Sequence, residues 1–159
     1  MKSGLTLLQP STPAQWRVAR RLVEAYAASL GVDLSFQNFA EEIEHLPIEY
    51  GPPEGAFLIA EAGRRAIGCV RLRAFDPARG DIKRLYVDPA ARGLGAGRAL
   101  AEGIVARGRE IGYTRLVLDT LPTMSEAQAL YVSLGFTSIE PYRFNPVPGT
   151  SFLALKLSR

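Results

Sequence analysis

The segment that most constrains this chain is Asp81-Ile82-Lys83-Arg84-Leu85-Tyr86-Val87 followed by Asp88-Pro89-Ala90-Ala91-Arg92-Gly93-Leu94-Gly95-Ala96-Gly97-Arg98. A strand-like run breaks at Asp88-Pro89, and a long helical pattern opens within a glycine-rich turn. Leu94, Gly97, Leu100, Ala101, Ile104, Gly108 and Ile111 fall on one face of that helix, which Gly112 closes. Glycine lets backbone approach a ligand without a Cβ in the way. The first helical turn adds unpaired N–H groups and the positive end of the dipole. The turn is therefore either a tight helix start or a site for phosphate or diphosphate, with Arg92 and Arg98 supplying charge. A Walker A loop is excluded, because Gly-Lys-Ser/Thr is absent. The G-x-G-x-x-G dinucleotide fingerprint fails in both registers, since it needs glycine at Arg98 or Leu100.

The rest of the chain frames this turn. Leu5–Leu8 reads as a first strand. Ser11-Thr12-Pro13 opens a helix whose apolar positions run from Trp16 to Leu30, before Gly31. Phe36, Phe39, Ile43 and Leu46 predict a second, short helix ending before Pro47. Strands follow at Ala56–Glu61, Ala66–Leu72 and Asp81–Val87, then the long helix and a strand over Arg115–Asp119. A helical stripe of Ala127, Leu130, Tyr131 and Leu134 ends at Gly135, and the tail alternates as a final strand. This order predicts an α/β fold whose sheet is antiparallel early, with parallel crossover units later. A chain of 159 residues is expected to form one domain over residues 1–159.

Composition removes several chemistries. The single cysteine, Cys69, forms no internal disulfide and reads as a small buried hydrophobe in an apolar strand. One histidine, His45, leaves no metal site to expect and no serine-hydrolase context. The N-terminus lacks a secretory apolar core and no run approaches 18 apolar residues, so the expected setting is cytoplasmic, with no membrane partner. The net charge of +3 hides an asymmetry. From Leu22 to Gly63 there are eight acids and no Lys or Arg, giving −8. From Arg64 to Arg115 there are twelve Lys/Arg against five acids, giving +7. These are either two solvated faces or one face for an anion and one for a cation. The basic half has no stripe of interleaved aromatics, so nucleic acid is not an expected partner.

Arg92-x-x-Gly95-x-Gly97 after DIKRLYVDP resembles the acyl-CoA loop of the GCN5-related N-acetyltransferase (GNAT) superfamily. Leu130-Tyr131-x-x-Leu134-Gly135-Phe136 resembles its second hallmark, one helix and one strand later. The likeness spans about Phe57 to Leu157. It implies a mixed central sheet of about six to seven strands, split in a V between the DIKRLYV and RLVLD strands and flanked by about four helices. It also implies acetyl-CoA as co-substrate, without a metal. The pantetheine arm would pair with Leu85, Tyr86 and Val87. The diphosphate would sit on Arg92, Gly93, Leu94, Gly95, Ala96, Gly97 and Arg98. An amine acceptor, small molecule or peptide, would attack the thioester directly in a ternary complex.

The resemblance carries roles to two residues. Tyr131 is the expected acid, because a phenol of ordinary pKa near 10 stays protonated at neutral pH; the alternative is a core tyrosine. Asp81 is the expected base, as in members with an acidic residue at this strand position; the alternative is a solvated strand end. An alkylamine of pKa about 10.4 must lose a proton at a cost of about 4.6 kcal/mol at pH 7, whereas an α-amine costs about 1–1.4 kcal/mol. Where many members carry Asn before the second hallmark, this chain has Met124, leaving the hydroxyls of Thr123 and Ser125 for the pantetheine. The acidic segment lies where relatives shape the acceptor site. Glu41, Glu44, Glu49 and Tyr50 are therefore expected to attract a cationic amine, with Asp119 at the end of the strand across the split. The Pro-rich stretch Pro141–Gly149 is either a cover for that cleft or a stiff connection. Homodimers are common in the superfamily, and a non-catalytic acyl-CoA sensor is the alternative function.

Overall fold

The computed structural model describes residues 4–30 and 39–157. Seven strands form one mixed sheet: β1 (Leu5–Leu8), β2 (Ala56–Ala62), β3 (Arg65–Ala74), β4 (Arg79–Val87), β5 (Arg115–Thr120), β6 (Thr137–Ser138) and β7 (Ser151–Lys156). Among the described residues five α-helices flank it: α1 (Pro13–Leu30), α2 (Phe39–Glu44), α3 (Leu46–Glu49), α4 (Ala96–Ile111) and α5 (Ser125–Ser133). The expected four helices become five because Pro47 does not end a helix. It lies in the first turn of α3, where a missing N–H costs nothing. Gly31 and Phe36, expected to close one helix and open the next, lie outside the described residues.

Local chemistry explains the boundaries. Thr12 caps α1 by accepting from the Gln15 N–H at 3.1 Å, while the Gln15 side chain accepts from the Thr12 N–H at 3.2 Å. This reciprocal box satisfies donors that the first turn would otherwise leave unpaired. Gly112 ends α4 in the left-handed region.

The sheet order is β1-β2-β3-β4-β5-β7-β6. Only β4 and β5 pair in parallel, joined by the α4 crossover; the other neighbours are antiparallel. The second crossover, from β5 through α5 to β6, is also parallel, but β7 lies between the two strands and pairs antiparallel with both. The sheet separates two cores. Leu58, Leu72, Leu100, Ile104 and Leu116 pack with α4 and α5 on one face. Leu22, Val23, Leu46, Phe57 and Ile59 pack with α1, α2 and α3 on the other.

Two irregularities create the site. First, β4 and β5 pair only through Arg79–Asp81 and Arg115–Val117, after which the strands part and leave two facing edges. This is the V-shaped split. Second, β3 places Cys69 opposite Tyr86 and Arg71 opposite Lys83, so Val70 faces both Arg84 and Leu85. Two residues against one make a β-bulge, which bends the strand and interrupts its ladder. Arg84 adopts φ 63° there, an uncommon conformation for a side chain of its size.

Candidate active site

A cavity of about 870 Å³ runs from the start of α4 along the edge of β4. Leu85, Tyr86 and Val87 form one wall, and Thr123, Met124 and Ser125 face them from the loop before α5. Arg92, Gly93, Gly95, Ala96 and Gly97 line the outer end. Leu94 and Arg98 do not: Leu94 is exposed, and Arg98 turns to Ser133 and Glu102.

The outer end is built for an anion. Gly95 holds the N-cap position of α4 with φ 79°, a conformation glycine adopts without strain, and it offers no side-chain cap. The first bond of the helix runs from the Ala99 N–H to the Gly95 carbonyl at 3.1 Å, so the Ala96, Gly97 and Arg98 N–H groups precede the ladder. Arg92 stands beside them, exposed and 3.0 Å from Glu126. These groups fit a diphosphate.

A second cavity of about 30 Å³, room for a water or two, lies further along β4 inside the split. It shares Tyr26, Leu30, Leu85, Met124 and Ala127 with the larger one and is also lined by Lys83, Asp119, Thr120, Tyr131 and Asn145. Tyr131 is 4% exposed and stacks edge-on against Phe136, with ring centroids 5.2 Å apart. Burial raises its phenol above the ordinary range, so the hydroxyl keeps its proton throughout the physiological range. Lys83 contacts the Asp119 carboxylate, which also accepts from Asn145 at 3.0 Å. Burial pulls the Lys83 ammonium down to about 6, against the attraction of Asp81 and with the repulsion of Arg143 and Arg71.

Asp81 lies elsewhere. It is completely buried and lines neither cavity. Arg71 approaches its carboxylate to 3.5 Å, Arg143 contacts the same oxygen, and Tyr142 donates to the other at 2.9 Å. Burial would raise the carboxyl, but Arg71, Lys83 and Arg143 outweigh it and hold the group below the ordinary carboxylate value. A carboxylate so enclosed and so weakly basic is a poor proton acceptor for a bound amine.

The expected acceptor group on the acidic segment also disperses. Glu41 and Glu44 are exposed and line neither cavity. Tyr50 is fully buried beside Phe57, with the Arg71 guanidinium 5.1 Å from its ring centre, and so is a core residue. The Glu49 side chain lies outside the described ones. Among the described side chains of this set, only Asp119 stands on the cleft wall. Glu42, which the sequence reading did not single out, makes two contacts of 3.0 and 2.8 Å to the buried Arg84. Part of the acidic excess therefore neutralises a buried cation on the bulge. Lys83, Arg71, Tyr142, Arg143 and Asn145 were missed as well. For Lys83 and Arg71 the available signal was charge inside otherwise apolar strands; Tyr142, Arg143 and Asn145 lie in the Pro-rich stretch, where the sequence offered only a cover or a connection. His45 is exposed, with Nδ1 3.0 Å from the Glu41 carbonyl. Cys69 is fully buried, and burial pushes its thiol well up.

The comparisons identify the family to which this split sheet and glycine-rich helix start belong. A profile described as the acetyltransferase (GNAT) family matches residues 18–136. An uncharacterized N-acetyltransferase of Schizosaccharomyces pombe is 40% identical over 159 residues, covering 99% of this chain and 98% of its own. An acetyltransferase of Streptococcus agalactiae superposes with a TM-score of 0.79 at 24% identity, covering 98% and 99%. An acetyltransferase of Salmonella typhimurium, solved with its cofactor acetyl-CoA, superposes at 0.69 with 20% identity, covering 98% and 95%. The chain belongs to the GNAT acetyltransferase family and is an acyltransferase.

Proposed function

We propose that this protein transfers the acetyl group of acetyl-CoA to a primary amine by direct attack within the β4–β5 split. The observation that carries the reading is the adjacency of the two cavities, which share five lining residues and together extend from the unpaired N–H groups of α4 past Leu85–Val87 to Tyr131. The Ala96 and Gly97 amides with Arg92 hold the diphosphate. The free edge of β4 pairs with the pantetheine amides, and Thr123 and Ser125 supply hydroxyls from the opposite wall. Acetyl-CoA brings an activated thioester to the inner end, where the bulge at Arg84 and Leu85 interrupts the ladder.

Tyr131 donates a hydrogen bond to the departing sulfur. Its raised pKa makes it a donor that does not ionise, suited to stabilising charge as it forms. We assign Asp81 to holding Arg71, Tyr142 and Arg143 in place rather than to proton abstraction. Asp119, on the wall of the inner cavity, is the carboxylate that meets the incoming amine.

Thiol release from acetyl-CoA, measured across cationic, neutral and anionic primary amines with mass analysis of the product, tests the reading. Amine-dependent release with an N-acetylated product supports it. Tight binding of CoA with no release for any amine supports the sensor instead.

A further inference from the structure

Lys83 has no part in the chemistry above, yet it stands inside the cleft. It lies two residues before Leu85 on the strand that lines the larger cavity, and its side chain is 4% exposed on the wall of the smaller one, together with Tyr131. The groups around it are Asp81 and Arg84 on its own strand, Asp119 on β5, Arg71 on β3, and Arg143 and Asn145 on the Pro-rich segment. Desolvation and three guanidinium groups outweigh the pull of the Asp81 carboxylate and lower the ammonium to about 6, so the nitrogen carries a usable lone pair near neutral pH.

From this placement we infer that Lys83 is a self-acetylation site, taking the acetyl group from bound acetyl-CoA when no amine occupies the cleft. The inference rests on the proposed acetyl-CoA reading. In the step, the Lys83 nitrogen attacks the thioester carbonyl carbon, a C–N bond forms and the C–S bond breaks. CoA leaves as the thiolate, hydrogen-bonded by Tyr131, and is then protonated from solvent. The nitrogen loses one proton, to Asp119 or to water, and remains as a neutral amide. The product replaces the amine that contacts Asp119 by a bulkier neutral amide and fills a space that holds only a water or two. Self-acetylation therefore closes the acceptor end of the cleft.

The sequence contains its own controls, because Lys2 and Lys156 are the other two lysines and Lys156 is exposed on β7. The experiment incubates the full chain with acetyl-CoA alone and follows each lysine by peptide mass mapping. Lys83 is expected to gain one acetyl group about a hundredfold faster than Lys156 or Lys2, as a group held beside the thioester should. An accepted amine should slow the modification, and so should Tyr131→Phe. Acetylation of Lys83 no faster than that of Lys156, or none while amine turnover proceeds, overturns the inference and leaves the transferase reading intact. Failure to bind CoA, measured by calorimetry on the same sample, overturns both.

Discussion

Lys83 and Asp119 touch across the split, each two residues beyond the last paired positions of its strand, Asp81 and Val117. The strands part, and these side chains join them where the backbones no longer do. The buried pair thus sits at the floor of the V, between the core and the space that receives the acyl group.

This placement makes stability depend on pH in a definite sense. The folded Lys83 value is lowered to about 6, whereas an unfolded lysine titrates near 10.4. Between those limits the unfolded chain binds more protons, so stability rises with pH. Denaturant unfolding from pH 6 to 9 should show the wild type gaining on Lys83→Met as pH increases. Parallel curves would refute the lowered value.

Tyr131→Phe keeps the ring stacked on Phe136 and removes only the donor. The kcat should fall by about 10²-fold or more, the usual worth of one preorganised hydrogen-bond donor, with CoA affinity unchanged. Because the phenol does not ionise in the working range, the pH profile of the wild type should show no limb from Tyr131. A loss confined to KM would assign the residue to binding.

Glu42→Gln leaves Arg84 buried without its carboxylate. Breaking one side of such a pair costs about 3–5 kcal/mol, which lowers Tm by on the order of 10 °C for a chain of this size. Thermal unfolding followed by circular dichroism measures this directly. A change of a degree or less would mean that Arg84 is held mainly by Tyr26 and Phe39.

Arg92→Gln should weaken CoA association about two- to fivefold at low salt, because the residue is exposed and already faces Glu126. Raising the salt should erase most of the difference between variant and wild type. Calorimetric titration at two ionic strengths distinguishes this from a salt-independent loss, which would point to a change in the loop itself.

The turn from Asp88 to Gly97 and the Leu130–Phe136 pattern were legible because both are local: glycine, proline and helical spacing act over a few residues. The strands and the long helix followed for the same reason. The polar interior was not legible. Asp81 read as the base and Glu41, Glu44, Glu49 and Tyr50 as acceptor contacts, since one sequence does not show which charges meet. Arg71, Asp81 and Arg143 come from β3, β4 and a loop some sixty residues away, and only the tertiary fold joins them. The Pro-rich segment is tied down by Tyr142 and Arg143 on Asp81 and by Asn145 on Asp119, so one tract is both a pinned connection and a wall of the cleft.

A crystal structure of the protein with CoA tests the central claim most directly. The account places the diphosphate on the Ala96 and Gly97 amides, the pantetheine along Leu85–Val87, and the sulfur within hydrogen-bonding reach of the Tyr131 hydroxyl. A diphosphate bound away from α4, or a sulfur remote from Tyr131, would contradict it.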